Sequence, residues 1–121
     1  MSVLMTTVFV YGTLMNGERN HRVLAGAEHL GTARTVARFK MFDLGSYPGI
    51  ITGGRVSISG ELYRVDAATL AKVDRLEGHP DIYRRTPIEL EGGGSAEAYV
   101  LRTTEGRRVT EIASGNWRAR G

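Results

Sequence analysis

The residue that stands out for its chemistry is Glu77, a carboxylate on the expected apolar side of a helix. It lies seven residues after Leu70 and four after Val73, a spacing that puts these side chains on one helical face. Burial and the negative end of the helix dipole both disfavour the charged form, so the pKa rises towards neutrality, where a carboxyl group can exchange protons. Two interpretations stay open at this point. Glu77 is either a general acid/base, or a side chain that reaches water or pairs with an arginine because the helix frays.

A second candidate is the run Tyr11-Gly12-Thr13-Leu14, which lies at the end of an apolar strand-like segment, Val8–Tyr11. A glycine at the end of a strand lets the backbone turn and expose consecutive N–H groups, which can hold an anion or a developing oxyanion. The run lacks both the Gly-Lys-Ser/Thr of a Walker loop and the spacing of a dinucleotide-binding loop. An ordinary turn after a strand is the alternative interpretation.

The sequence does not contain the residue patterns of cysteine-based, metal-dependent or serine-nucleophile catalysis. The chain contains no cysteine, which excludes disulfides, thiolate metal ligands and cysteine nucleophiles. His21, His29 and His79 have neither an HExxH pattern nor a clustered spacing. The nucleophile motif G-x-S-x-G is also missing. We therefore expect neither a metal ion nor a cofactor.

The elements that must position these candidates are short. Sixteen glycines punctuate strand-like runs, a pattern typical of many short strands joined by tight turns. One helix is predicted over Ala67–Glu77, with Asp66 as its N-cap and Gly78 followed by Pro80 as its stop. Its predicted apolar stripe consists of Ala67, Leu70, Val73 and Leu76. Further predictions are strands at Val8–Tyr11, His29–Val36, Phe39–Leu44 and Val56–Val65, a hairpin of Thr86–Leu90 with Ala96–Arg102, a loop at Gly45–Gly54, a short helix at Asn20–Ala25 and an ambiguous tail at Arg107–Gly121.

Length and composition indicate one globular domain, residues 1–121. The chain is 41% hydrophobic and 24% charged, which excludes a disordered tail and a membrane protein. No segment approaches the roughly 18 apolar residues of a membrane span. The first residues lack the basic region and the apolar core of a signal peptide, so we expect a cytoplasmic location and no membrane partner.

The charge balance is basic but not concentrated. Sixteen Lys and Arg against thirteen Asp and Glu give a net charge of +3 and a pI of about 9.6, which raises the question of nucleic acid. The basic residues are scattered from Arg19 to Arg120, and their longest runs are pairs such as Arg107-Arg108. We therefore expect a solvated surface and no nucleic-acid partner. The oligomeric state is not predicted.

Taken together in chain order, several blocks resemble gamma-glutamylamine cyclotransferases and their bacterial relatives. The similarity extends from Val8 to Arg102. Each block alone is weak, but the set of blocks in this order is specific to the family. The blocks are Val8-Phe9-Val10-Tyr11-Gly12-Thr13-Leu14, Asn20-His21-Arg22-Val23-Leu24, Tyr47-Pro48, Gly60-Glu61-Leu62-Tyr63 and Val73-Asp74-Arg75-Leu76-Glu77-Gly78, with Tyr83 and Arg84 beyond.

The resemblance implies a small α+β fold, a mixed β-barrel with one or two short helices and a cavity at one end. It implies that residues 11–14 form the substrate-binding loop and that Glu77 is the acid/base, and Tyr83 is added as a binding candidate. The implied reaction is an attack of the alpha-amine of a gamma-glutamyl group on its own side-chain carbonyl, which releases 5-oxoproline and an amine. Family members that act on gamma-glutamyl-lysine substrates look longer than this chain, so the leaving amine stays open. The alternative is a non-catalytic module that binds a small carboxylate in the same cavity.

Overall fold

The computed structural model describes residues 4–120, so residues 1–3 and 121 of the predicted domain lie outside it. Within this range the chain forms eight strands, one α-helix and two short 3₁₀ turns, the latter at His21–Leu24 and Trp117–Ala119. The strands are β1 (Met5–Val10), β2 (Glu28–Arg34), β3 (Phe39–Asp43), β4 (Pro48–Thr52), β5 (Ser59–Asp66), β6 (Tyr83–Glu89), β7 (Ser95–Leu101) and β8 (Thr110–Glu111). The helix α1 is Ala67–Glu77. No helix among the described residues is long and apolar enough to cross a membrane.

The strands form two sheets. Five of them pair in the order β2-β5-β1-β7-β6, and three pair in the order β4-β3-β8. The β1–β7 pair is parallel, whereas β1–β5, β2–β5 and β6–β7 are antiparallel. The predicted hairpin around the three adjacent glycines is the β6–β7 pair. The predicted α+β class with mixed strand directions is confirmed.

Strand β1 lies in the middle of the larger sheet and fixes where the next loop begins. Val8, Phe9 and Val10 are fully or almost fully buried, because neighbouring strands flank β1 on both sides and side chains cover both faces. The strand ends at Val10, one residue earlier than predicted, so Tyr11 belongs to the loop. The loop therefore starts from one of the most rigid parts of the molecule.

Helix α1 has the predicted ends. The Asp66 side chain accepts a hydrogen bond from the Thr69 N–H (2.8 Å), and Gly78 adopts the left-handed conformation with φ of 66°. The predicted apolar stripe is wrong at its ends, since Val73 is buried while Leu76 is 44% exposed. Val73 is thus the residue of this short helix that is fully buried, while Ala67 and Leu76 at the ends of the predicted stripe are exposed.

Two other predictions need correction. The segment Gly45–Gly54 is not entirely a loop, because it contains β4, which pairs antiparallel with β3. Pro48 begins this strand, where a residue without an N–H is tolerated. The strand predicted over Val56–Val65 begins later than expected, since β5 starts only at Ser59.

The tail left ambiguous by the sequence is mostly irregular but packs on the body of the protein. It contains β8 and a 3₁₀ turn, and Trp117 in that turn is 2% exposed. The N–H of Ser59 donates to the carbonyl of Gly115 (2.9 Å), which ties the tail to the start of β5. Trp117 therefore anchors the tail to the body of the protein.

Candidate active site

The residues singled out from the sequence meet at one cavity of about 300 Å³. Its wall combines the loop after β1, the carboxyl end of α1 and the start of β6. All the predicted site residues line it: Tyr11, Gly12, Thr13, Leu14, Glu77 and Tyr83. The structure therefore brings the two candidate motifs together, and their chemical roles stay predictions.

Glu77 is the last residue of α1 and is half-buried. Within residues 4–120 its carboxylate has neither a hydrogen-bond donor nor an ion-pair partner, so the arginine pairing left open by the sequence is not formed there. Burial raises the pKa of Glu77 from its ordinary value of 4.5 to about 7. A carboxyl group with this pKa is populated in both protonation states near neutral pH.

Tyrosine hydroxyls surround the cavity but are bonded elsewhere. The Tyr11 hydroxyl donates to the carbonyl of Tyr99 (2.5 Å), and the Tyr83 hydroxyl donates to the carbonyl of Pro48 (2.6 Å). Burial and the nearby negative charge of Glu77 raise the pKa of both phenols, so they stay protonated. Because each hydroxyl proton is already donated, the charged form of Glu77 gains no hydrogen bond from Tyr11 or Tyr83 to offset its lost hydration.

Tyr99, in the middle of β7, is a wall residue that the sequence analysis missed. Its hydroxyl donates to Asp74 Oδ1 (2.6 Å), and Arg85 Nε donates to the same oxygen (3.1 Å). Asp74 precedes Glu77 by nearly one helical turn, so this network ties the helix to the sheet beside the candidate acid/base. The local sequence does not identify Tyr99 as a cavity residue, because aromatic residues are common in strands.

At residues 12–14 of the loop after β1, the backbone carbonyls have hydrogen-bond partners within residues 4–120, whereas the backbone N–H groups do not. The Gly12 carbonyl accepts from the N–H of Met15 (3.1 Å), and the Thr13 carbonyl accepts from the N–H of Asn20 (2.9 Å). The Leu14 carbonyl accepts from Nδ1 of His21 (2.9 Å), so this ring nitrogen carries the proton. Within the described part of the chain, the N–H groups of residues 12–14 have no acceptor. These consecutive donors are available to an anionic ligand, as the interpretation of the loop requires.

A glycine is needed at position 12 because the Pro48 ring lies against the backbone there, and not because the backbone adopts a left-handed conformation. A Cβ at this position would lie 2.5 Å from Pro48 Cγ and 2.7 Å from Pro48 Cδ, and the φ of Gly12 is not positive. The proline ring at the start of β4 thus packs directly on the loop backbone. This contact joins the loop to the smaller sheet.

The far end of the loop is held by Glu61, a buried carboxylate that the sequence analysis did not single out as functional. Glu61 Oε1 accepts from the Asn16 N–H (2.8 Å) and from the Tyr63 hydroxyl (3.0 Å). Arg118 from the tail approaches the other oxygen (3.7 Å) and also donates to the Asn16 carbonyl. The loop is therefore clamped through both backbone groups of Asn16.

Further residues that sequence reasoning missed line the cavity and are exposed. Arg19 and Arg107 contribute cationic side chains, and Leu76 and Ile82 contribute apolar ones that are 44% and 46% exposed. Nothing in their sequence context distinguishes these arginines from the other scattered basic residues. Among residues 4–120, no group of three or more His, Asp or Glu side chains is placed to hold a metal ion.

Known proteins resemble this chain over most of its length. A family model described as "Gamma-glutamyl cyclotransferase, AIG2-like" matches residues 8–119. A Vibrio cholerae protein provisionally named a gamma-glutamylcyclotransferase is 44% identical over 110 residues, which are 91% of this chain and 93% of that protein. The bovine gamma-glutamylaminecyclotransferase is 39% identical over 79% of this chain and 64% of its own length.

A solved structure shows the same fold. The crystal structure of a mouse AIG2-like protein superposes with a TM-score of 0.75 at 30% sequence identity, covering 82% of this chain and 78% of the mouse chain. The predicted fold type and the resemblance drawn from the ordered sequence blocks are both confirmed.

Proposed function

The chain belongs to the gamma-glutamyl cyclotransferase, AIG2-like family, and on that premise we propose that it catalyses an intramolecular aminolysis. The alpha-amine of a gamma-glutamyl group attacks its own side-chain carbonyl. The new C–N bond closes 5-oxoproline, and the old C–N bond breaks to release an amine. Nucleophile and electrophile belong to one molecule, so the protein's main task is to hold the substrate in its folded, reactive shape.

Glu77 is the proposed acid/base. The attacking ammonium must lose a proton before it is nucleophilic, and the leaving nitrogen must gain one before it departs. A single carboxyl group with a pKa of about 7 can accept the first proton and return it to the leaving nitrogen. The observation that carries this proposal is an unpaired carboxylate, held in the same cavity as a row of free backbone donors.

The loop of residues 11–14 is the proposed substrate-binding element. Its free N–H groups can hold either the alpha-carboxylate of the glutamyl group or the oxyanion of the tetrahedral intermediate. Tyr83, whose hydroxyl is already bonded to Pro48, offers its ring rather than a proton to the bound ligand. A cytoplasmic location stays a prediction.

The test is the turnover of gamma-glutamyl amines and dipeptides by the Glu77→Gln variant. We expect 5-oxoproline release to fall by roughly 100-fold or more, which is typical of losing a general acid/base, while the fold and ligand binding persist. Glu105→Gln, at an exposed position outside the cavity, is the matched control and should match the parent enzyme. Equal kcat for Glu77→Gln and the parent would end the catalytic assignment.

The same assay separates the enzyme from a non-catalytic carboxylate-binding module. Such a module would bind gamma-glutamyl compounds saturably and release no 5-oxoproline. The isolated carboxylate favours the enzyme, because a pocket that only binds carboxylates gains nothing from a second negative group inside it.

A further inference from the structure

Arg118, in the 3₁₀ turn of the tail, contacts the far end of the loop after β1, although 102 residues separate it from Asn16 in the chain. Its guanidinium donates to the Asn16 carbonyl and to Oε2 of Glu18 (3.4 Å), and its Nη1 lies 3.7 Å from Glu61 Oε2. The Asn16 N–H donates to the other oxygen of the Glu61 carboxylate (2.8 Å). Arg118 therefore meets the loop at its backbone and at the carboxylate that holds that backbone.

Both Arg118 and Glu61 lie outside the cavity that contains Glu77. They line a separate groove of about 490 Å³, and Met15 of the loop lines it as well. Residues 12–14, whose N–H groups have no acceptor among residues 4–120, line the cavity instead. The loop thus contributes to both spaces, and Arg118 acts on the loop without lining the cavity where a ligand would bind.

The chain around Asn16 does not fix its own direction. Asn16 is exposed, and Gly17 follows it with a φ of 87°, a conformation in which a glycine backbone is little restricted. The bonds to Glu61 and Arg118 supply the missing restraint. A loop held in this way presents its donors in one arrangement before a ligand arrives. Without that restraint, ligand binding has to order the loop at a cost in conformational free energy.

We propose that Arg118 is a positioning residue of the substrate-binding loop. By holding Asn16 beside Glu61, it keeps the N–H groups of residues 12–14 in the arrangement that receives the gamma-glutamyl group. This inference rests on the proposed function and adds to it a residue of the tail that lies outside the cavity. The bond to the Asn16 carbonyl suits this role, because a charged donor makes a stronger hydrogen bond than a neutral one.

The experiment compares Arg118→Gln with the parent in two measurements. The first is kcat/KM for 5-oxoproline release from gamma-glutamyl-alanine, which we expect to fall roughly tenfold, as the loss of a hydrogen bond from a charged group predicts. The second is hydrogen exchange of the Asn16 amide, which should become faster because the end of the loop opens more often. Arg118→Lys keeps a charged donor and should recover part of both losses.

Arg120→Gln is the matched control, since it alters the same tail away from the loop. The Arg120 guanidinium lies 3.7 Å from the centre of the Trp117 ring, and its Nη1 donates to the Trp117 carbonyl (2.6 Å). We expect this variant to keep the kcat/KM of the parent and the exchange rate of the Asn16 amide. Equal losses in Arg118→Gln and Arg120→Gln would overturn the inference, because the general stability of the tail would then explain them.

A double variant separates position from charge. Among residues 4–120, Arg118 is the basic side chain that pairs with Glu61, so Arg118→Gln alone leaves a buried carboxylate without its counter-charge. Glu61→Gln/Arg118→Gln removes that carboxylate and keeps an oxygen that can accept from the Asn16 N–H. Its kcat/KM should stay low, because the charged donor to the Asn16 carbonyl is still missing. Recovery to the parent value would overturn the inference, since Arg118 would then only compensate a charge.

An unchanged kcat/KM in Arg118→Gln would also overturn the inference and leave the cyclotransferase proposal standing. Should the parent release no 5-oxoproline, the proposed function itself fails. Calorimetric binding of gamma-glutamyl-alanine and exchange of the Asn16 amide then decide the inference. Weaker binding together with faster exchange in Arg118→Gln supports it, and the absence of either one refutes it.

Discussion

Replacing Glu77 with glutamine should make the protein more stable at neutral and alkaline pH. The folded state holds a proton on Glu77 more tightly than the unfolded state, since the pKa is about 7 when folded and 4.5 ordinarily. The free energy of unfolding therefore falls as pH rises through this interval and levels off above it. At about 1.4 kcal/mol per pKa unit, the cost of the buried charge reaches about 3 kcal/mol above pH 7. Glutamine carries no charge and avoids this cost.

The measurement is urea denaturation of the parent and Glu77→Gln at pH 4.5 and pH 8, followed by the fluorescence of Trp117. Trp117 is the sole tryptophan and is 2% exposed, so its emission should report unfolding. We expect nearly equal stability at the lower pH and a gain of about 3 kcal/mol for the variant at the higher pH, or about 10 °C in Tm. Glu105→Gln should follow the parent at both values. A difference between Glu77→Gln and the parent that does not change with pH would refute the argument that the buried carboxylate carries this cost.

Two further predictions concern the loop. Gly12→Ala places a methyl group against the Pro48 ring. We therefore expect the free energy of unfolding, measured by urea denaturation, to fall by about 1–3 kcal/mol and KM to rise. Unchanged values for both would show that the contact does not restrict this position. Thr13→Pro removes one of the free N–H groups, whereas Thr13→Ala keeps it. In calorimetry, only the proline variant should therefore lose ligand affinity through the missing donor. Equal affinities for the two variants would contradict the role of that N–H.

Much of the site could be predicted because its signals are local. The N-cap Asp66 and the glycine Gly78 mark the ends of α1, and helical spacing places Glu77 near the side chains that pack on the sheet. Burial with a raised pKa was one of the two outcomes that this spacing left open. The ordered blocks then linked Glu77 to the loop after β1, which no local rule could bring together.

The rest depends on contacts between distant parts of the chain. The segment after Gly45 looks like a loop because it is rich in glycine and contains Pro48, yet this proline starts β4 and packs on Gly12. Tyr99 enters the cavity wall only because β7 lies parallel to β1. The bond between Tyr99 and Asp74 joins residues far apart in sequence, so neither one signals it alone.

The hydrogen bonds that hold the cavity together also limit what can bind in it. The carbonyls of residues 12–14 and the hydroxyls of Tyr11, Tyr83 and Tyr99 all have partners within the protein. Among residues 4–120, the groups of the loop and the helix end left for a ligand include the backbone N–H groups on one side and the Glu77 carboxyl group on the other. A ligand with a negative oxygen and a protonated nitrogen a few bonds apart would satisfy both. A folded gamma-glutamyl group has both, and in the proposed reaction its nitrogen attacks its own carbonyl after passing a proton to Glu77.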